Sequence, residues 1–278
     1  MNGVSKLVLG TVQFGCSYGV NSAGRPDFAE VSRILDLAHA SGITTLDTSS
    51  AYGDAERVIG NAGACRFNVV SKYPKGSGNV ADAFSLSLAR IGVPRLHGYM
   101  LHHFELWREN PGIWDDFRRL RDSGLTERIG FSLYSPDELE MLLSAGVDFD
   151  LLQFPRNLLD RSFDPYLPGL KGQGVEIHVR STFLQGLFFM DRNSLPEKLS
   201  PLRPSLEQID SIARDKDLDV SALALAFNLL NPLIDGVLVG VDNCSQLQAD
   251  IDDSEADCWF DFDIEVSDRA LLNPVNWK

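Results

Sequence analysis

Cysteine is scarce: four in 278 residues, Cys16, Cys65, Cys244 and Cys258. None of them falls in a CxxC or other metal-binding spacing, so no metal site and no disulfide framework is expected. Reduced thiols in a cytoplasmic protein are the expectation instead. No apolar run approaches the ~18 residues that a membrane span needs, and no basic segment followed by an apolar core opens the chain, so no signal peptide is read. Positive charge is also in short supply. Twenty-five Lys and Arg stand against 39 Asp and Glu, a formal net charge of −14. A surface that acidic argues against nucleic acid and anionic membranes as partners. A G-x-G-x-x-G turn after the first apolar run, usual in an open dinucleotide-binding sheet, is missing. So are a domain linker, a low-complexity tract and a short tandem repeat.

What is present is an alternation. Short apolar runs at 7–10, 43–46, 67–71, 98–101, 128–131, 150–154, 175–179 and 236–239 read as strands. Helical patterns lie between them. Asp27 caps a helix carrying Val31, Ile34, Leu35 and Ala38. A short helix at 54–60 has Gly60 as its stop. Asn79 opens a helix through Ala83, Leu86, Leu88 and Ile91, and Ser135-Pro136 opens another. Further helical segments are expected at 113–120, 166–171, 205–215, 221–229 and 245–251. Eight strands alternating with helices mean parallel strands with right-handed crossovers. In a chain of 278 residues that fits one closed (β/α)8 barrel, a TIM barrel, spanning 1–278 as a single domain. The connection 184–202, with Pro196 and Pro201 and no clear period, is expected to be an ordered loop over a site. The acidic run 250–263 is expected to be a solvated face.

In such a barrel the C-terminal ends of the strands converge on one mouth. Here they would bring Thr11, Asp47, Tyr52, Lys72, His102, Ser132, Gln153 and Arg180 together. A carboxylate at the end of a buried strand, as Asp47 is, needs a partner. A tyrosine, with an ordinary pKa near ~10, is a weak proton donor at neutral pH unless a neighbouring cation such as Lys72 lowers it. Asp47 would hold that ammonium, and a neutral His102 would orient a carbonyl. No side chain donates hydride, so a reductase built on these groups needs nicotinamide or flavin. Each residue also has a plainer reading. Asp47 could satisfy its own loop, Lys72 could be a surface lysine or a Schiff-base former, and His102 could be a core histidine. His103, His39 and His178 read as structural. Tyr18 and Trp107 either line a substrate pocket or simply pack.

The segments Leu9-Gly-Thr11, Gly42-Ile-Thr-Thr-Leu-Asp-Thr-Ser-Ser-Ala-Tyr-Gly53, Ser71-Lys72, Leu101-His102, Gly130-Phe-Ser132, Gln153 and Gln185-Gly-Leu187 resemble the aldo-keto reductase family, of the bacterial type, over nearly the whole chain. The resemblance implies Asp47, Tyr52, Lys72 and His102 as catalytic residues of an NAD(P)H-dependent reductase of aldehydes or ketones. It implies dinucleotide contacts from Gly10, Thr11, Asp47 and Arg180, with Ser132 and Gln153 on the nicotinamide carboxamide. Ser181, Gln185, Gly186 and Leu187 would lie along the pyrophosphate, and Gly240, Gln246 and Asp250 near the adenosine. Three positions depart from the family pattern. Leu133 stands where Asn is frequent, and Arg180 where a nicotinamide-stacking Tyr is frequent. The loop 239–247 has no basic residue for a 2′-phosphate and carries Asp242. NADP(H) is the family default, and that loop leaves NAD(H) or dual use open. A nicotinamide-sensing accessory protein of the same fold and a Lys72-dependent aldolase are the competing readings. The partner expected is a small carbonyl substrate, with a monomer favoured.

Overall fold

The computed structural model describes residues 3–19, 24–258 and 262–277. Eight parallel strands close on themselves in sequence order: β1 (Leu7–Gly10), β2 (Thr45–Asp47), β3 (Asn68–Tyr73), β4 (Leu96–Leu101), β5 (Thr126–Ser132), β6 (Leu151–Pro155), β7 (Glu176–Arg180) and β8 (Gly236–Gly240). β8 returns to β1 with Leu7 opposite Val237 and Gly10 opposite Gly240, so no sheet edge remains. Around them run α1 (Val12–Gly15), α2 (Phe28–Ala40), α3 (Ala55–Asn61), α4 (Val80–Ile91), α5 (Glu105–Glu109), α6 (Ile113–Asp122), α7 (Pro136–Ser144), α8 (Leu167–Gly172), α9 (Arg203–Asp215), α10 (Val220–Leu229) and α11 (Cys244–Asp253). The barrel expected from the alternation of elements is the one observed. No helix among the described residues is long and apolar enough to cross a membrane.

The helix starts follow from local chemistry. Asp27 accepts the Glu30 N–H at 2.8 Å, and Asn79 accepts those of Ala81 and Asp82. Ser135 and Glu138 form a reciprocal capping box with Pro136 at the first helical position. Two details differ from the sequence reading. Gly60 does not stop α3 but lies inside it, because a Cβ there would come within 2.4 Å of the Arg90 carbonyl at the end of α4. The turn after α3 is made by Gly63, at φ +96°. On α4 the buried face is Val80, Phe84, Ser87 and Ile91, while Leu86 is exposed.

The strand interior explains why polar groups gather at one end. Val70, Met100 and Leu151 pack together inside the barrel as a small apolar plug. Successive strand side chains alternate sides, so the residue two places on faces the same way. Two places on from these three stand Lys72, His102 and Gln153. The plug and the polar layer above it are thus one pattern, written three times.

The connection 184–202 is ordered, as expected, and Gln185, Gly186 and Phe189 of it border the cavity over the strand ends, but much of it is packed inward. It is ordered as three short 3₁₀ turns, and Leu184, Leu187, Phe188, Leu199 and Leu202 are buried in a second apolar cluster with α9, α10, Ile264, Val266, Leu271 and Leu272. The run 250–263 is not a uniformly solvated face either. Asp250 is 8% exposed, because it lies on the inward side of α11. Trp259, Phe260 and Asp261 of that run lie outside the described residues.

Candidate active site

A cavity of about 440 Å³ opens over the C-terminal ends of the strands. Asp47 and Gln153 form part of its wall together with Tyr52. Asp47 is 2% exposed, so its charge must be satisfied from within. Lys72 Nζ donates to Asp47 Oδ1 at 2.5 Å, and Gln153 Nε2 donates to Oδ2 at 2.8 Å. A carboxylate only accepts, so the amide nitrogen of Gln153 is committed to it. Lys72, 1% exposed, gives a second bond to the Thr48 carbonyl at 3.0 Å. Its ammonium lies 5.4 Å from the centre of the Tyr52 ring. The Tyr52 ring meets the His102 ring edge-on at 5.8 Å. The four residues proposed from the sequence therefore form one continuous cluster, with Lys72 tucked behind the cavity wall.

The electrostatics correct one expectation. The Tyr52 phenol is not lowered by Lys72 but pushed well above the ordinary tyrosine range, first by burial and next by Asp47, with Arg180 pulling the other way. The Lys72 charge is spent on Asp47, and burial draws the ammonium itself below the ordinary lysine range against the Asp47 attraction. His102 is driven down to about 2, by burial first and then by Lys72, so its imidazole is neutral at any ordinary pH. Ser49 Oγ lies 3.1 Å from His102 Nδ1 and accepts the Ala51 N–H, also at 3.1 Å. Nothing in the sequence marked Ser49 except its place in the loop that carries Tyr52.

Tyr52 is held in position by two glycines. A Cβ on Gly15 would fall 1.8 Å from the Tyr52 carbonyl oxygen, and Gly53 sits at φ +57° with its own Cβ position 2.5 Å from Gly15 O. The two backbones touch because neither carries a side chain. Gly15→Ala should push the Tyr52 turn outward, lowering unfolding free energy by about 1–3 kcal/mol and reducing turnover together. Urea melts and steady-state rates check this; wild-type values for both would mean that the turn is not pinned there.

The remaining proposed residues divide. Gly10, Thr11, Arg180, Ser181, Gln185, Gly186, Gly240, Gln246 and Asp250 all line the cavity. Leu187 does not, since its side chain belongs to the second apolar cluster. Ser132 is 2% exposed at the end of β5 and is not part of the described cavity wall. Arg180 already has a stacking partner: its guanidinium lies 4.2 Å over the Tyr134 ring and donates to the Leu133 carbonyl at 3.0 Å. The departures at positions 133 and 180 thus meet in one contact. Tyr18 lines the cavity, and its hydroxyl accepts from Gln185 Nε2 at 2.9 Å, joining two walls. Trp107 packs against Phe104 and Phe131. His178 bonds Glu176 at the start of β7, beside His97, and His39 packs edge-on to Phe67. His103 leans on His102 at 4.7 Å, and its ring takes the Lys75 N–H.

The far wall was less legible. Gln13, Ser221 and Asp253 line it and were not singled out. Gln13 Oε1 is buried with no partner among the described residues, and a Cβ on Gly240 would collide with the Gln13 amide at 2.5 Å. Ser181, Leu184 and Gln185 hold positive φ angles of 62°, 46° and 55°, which side chains other than glycine rarely adopt. Strain of this sort concentrates where a chain is shaped around a ligand. An orphaned acceptor, a glycine that must stay bare and a wall of turned backbone fit an elongated polar molecule such as a dinucleotide.

Residues 6–257 match the model of the Aldo/keto reductase family. The chain belongs to the aldo/keto reductase family. Members of that family are NAD(P)-dependent oxidoreductases. An aldo-keto reductase of Mycobacterium sp. (strain KMS) is 31% identical over 126 residues, 42% of this chain and 45% of the relative. In that match the chain spans less than half of the relative's length. The uncharacterized oxidoreductase YrpG of Bacillus subtilis (strain 168) is 25% identical over 292 residues, covering 88% of this chain and 86% of its own. The solved aldo-keto reductase AKR11C1 from Bacillus halodurans, in its holo form, superposes with a TM-score of 0.71 over 96% of this chain and 90% of that one. At 20% identity that likeness speaks for the aldo/keto reductase fold.

Proposed function

We propose that this aldo/keto reductase reduces an aldehyde or ketone to the alcohol, with Tyr52 as the proton donor. The observation that carries this reading is the Asp47–Lys72–Tyr52–His102 cluster, of which Asp47 and Tyr52 line the cavity and Lys72 and His102 stand behind them. A nicotinamide dinucleotide would be held by the cavity wall from Gly10 and Thr11 to Gly240 and Asp250 and, when bound, would supply the hydride. The chain's own groups do the rest. Burial keeps the Tyr52 phenol protonated, so the donor form is always present. Ser49, having accepted one N–H, has its hydroxyl proton to give to His102 Nδ1, which leaves Nε2 as an N–H donor toward the carbonyl oxygen. Lys72, fixed by Asp47 and Thr48, places positive charge under the Tyr52 ring as the phenol gives up its proton. Gln153 holds the second oxygen of Asp47 and keeps that pair from turning.

The test is oxidation of reduced dinucleotide with a panel of simple aldehydes and ketones, followed at 340 nm for both cofactors. Dinucleotide binding with no turnover on any member of the panel would favour the accessory-protein reading. A substrate adduct on Lys72, trapped by borohydride, would favour the aldolase. The pH profile adds a sharper check. His102 loses its proton only near pH 2 and Tyr52 only above about 10. Neither group changes state in between, so kcat for reduction, measured with dinucleotide saturating, should show no titration from either of them from about pH 6 to 9. A fall with a midpoint near the ordinary histidine value as pH drops would contradict a neutral, buried His102.

A further inference from the structure

The cavity has two chemically different ends. Arg180 is the one Lys or Arg among the described lining residues, and it sits at the reacting end, close enough for its charge to be felt by Tyr52 and His102. The opposite end is lined by Ser221, Asp242, Gln246, Asp250 and Asp253. The loop there is fixed, because the Asp242 N–H donates to Gln246 Oε1 at 2.6 Å and Asn243 caps α11 through the Gln246 N–H at 2.9 Å. Asp253 is bonded to Ser221. Asp250 differs from these: it is 8% exposed, it borders the cavity, and no hydrogen bond from the described residues reaches its carboxyl group. A buried carboxyl is normally paired, and burial, with Asp253 nearby, pushes this one up to about 8; a donor that enters the cavity would favour its ionised, accepting form. The wider sequence agrees. Between Lys216 and Arg269 there is no Lys or Arg, while 13 Asp and Glu occur; Arg33 of α2, near Cys244 at the start of α11, is paired with Glu30 and is not part of the described cavity wall.

We propose that this end of the cavity accepts the hydroxyl and amine donors of an unphosphorylated adenosine, which makes NAD(H), and not NADP(H), the dinucleotide of this chain. The inference rests on the dinucleotide reading of the cavity above. With the reacting ring against Tyr52, the adenosine lies at the far end, beside Asp250. A ribose 2′-hydroxyl or an exocyclic amine donates, and Asp250 is there to accept. A 2′-phosphate brings nearly two negative charges and only acceptors. It would lose its hydration beside Asp242 and the carboxyls of Asp250 and Asp253, with no Lys or Arg among the described lining residues of that end to replace it.

Fluorescence titration of the full chain with NADH and NADPH separately tests this without relying on turnover. NADH should bind about 10-fold more tightly, the size expected from one hydrogen bond gained by one ligand and denied to the other. Equal affinity, or tighter NADPH, overturns the inference and leaves the reductase reading intact; binding of neither ligand overturns both. Asp250→Asn should weaken NADH and narrow the gap, and an unchanged gap removes Asp250 from the argument. Asp242→Arg keeps the backbone bond to Gln246 and adds a cation, so it should tighten NADPH by a similar factor. If Asp250→Asn fails to fold, the wild-type pair of titrations and Asp242→Arg still decide the matter.

Discussion

Tyr52→Phe should lower the turnover of carbonyl reduction by about 10²- to 10⁴-fold, the range typical for removal of a positioned proton donor, while dinucleotide binding stays as in the wild type. The substitution is clean because the ring does most of the packing. Phenylalanine keeps the edge-on contact with His102 and the face that covers the Lys72 ammonium. Only the hydroxyl is lost. No other group in the cluster has a proton to offer at neutral pH without disrupting its own bonds: His102 is neutral, and Lys72 is tied to Asp47 and Thr48. Single-turnover reduction with prebound dinucleotide isolates the affected step. Wild-type turnover in this variant would remove Tyr52 from the chemistry and the proposed reaction with it.

Lys72→Met should destabilise the fold by about 3–5 kcal/mol, because it strands a buried carboxylate. Methionine is close enough in length to fill the space, so the loss reads out charge and not volume. Asp47 would keep Gln153 on one oxygen and have nothing on the other, at 2% exposure. Against a typical total of about 5–15 kcal/mol, that is a large fraction of the stability. The double variant Asp47→Asn/Lys72→Met removes the stranded charge and should recover part of the loss, giving a coupling energy of about 0.5–3 kcal/mol in a double-mutant cycle. Urea denaturation of the four proteins measures it. Strictly additive losses would mean that the two groups do not depend on each other.

The fold was legible because it is written redundantly. Eight apolar runs and the helices between them each point to the same closed sheet, and small errors at Gly60 or Leu86 do not alter it. The reacting cluster was legible for a similar reason, since strand ends converge and the residue types are unusual after apolar runs. What escaped was of another kind. Ser49 and Gln13 are ordinary residues whose roles come from what lies across the barrel, and no local pattern carries that. Leu187 follows two cavity residues in the chain, yet the left-handed turn at Gln185 and Gly186 sends its side chain into the second apolar cluster. The direction of the Tyr52 shift could not be read from Lys72 alone, because burial of the phenol and the Asp47 carboxylate both raise it. Asp250 was hidden in a run whose composition says surface, and one turn of helix turned it inward.

One cavity wall has a hidden dependence. Gln185 and Gly186 face the cavity, while Leu184, Leu187 and Phe188 beside them lean on Ile264, Val266, Leu271 and Leu272. The tail of the chain is therefore a buttress for the ligand wall, although it touches no reacting group. Reciprocity follows from thermodynamics: whatever loosens the tail must weaken the grip on a ligand that needs that wall in place, and the seated ligand must tighten the tail by the same factor.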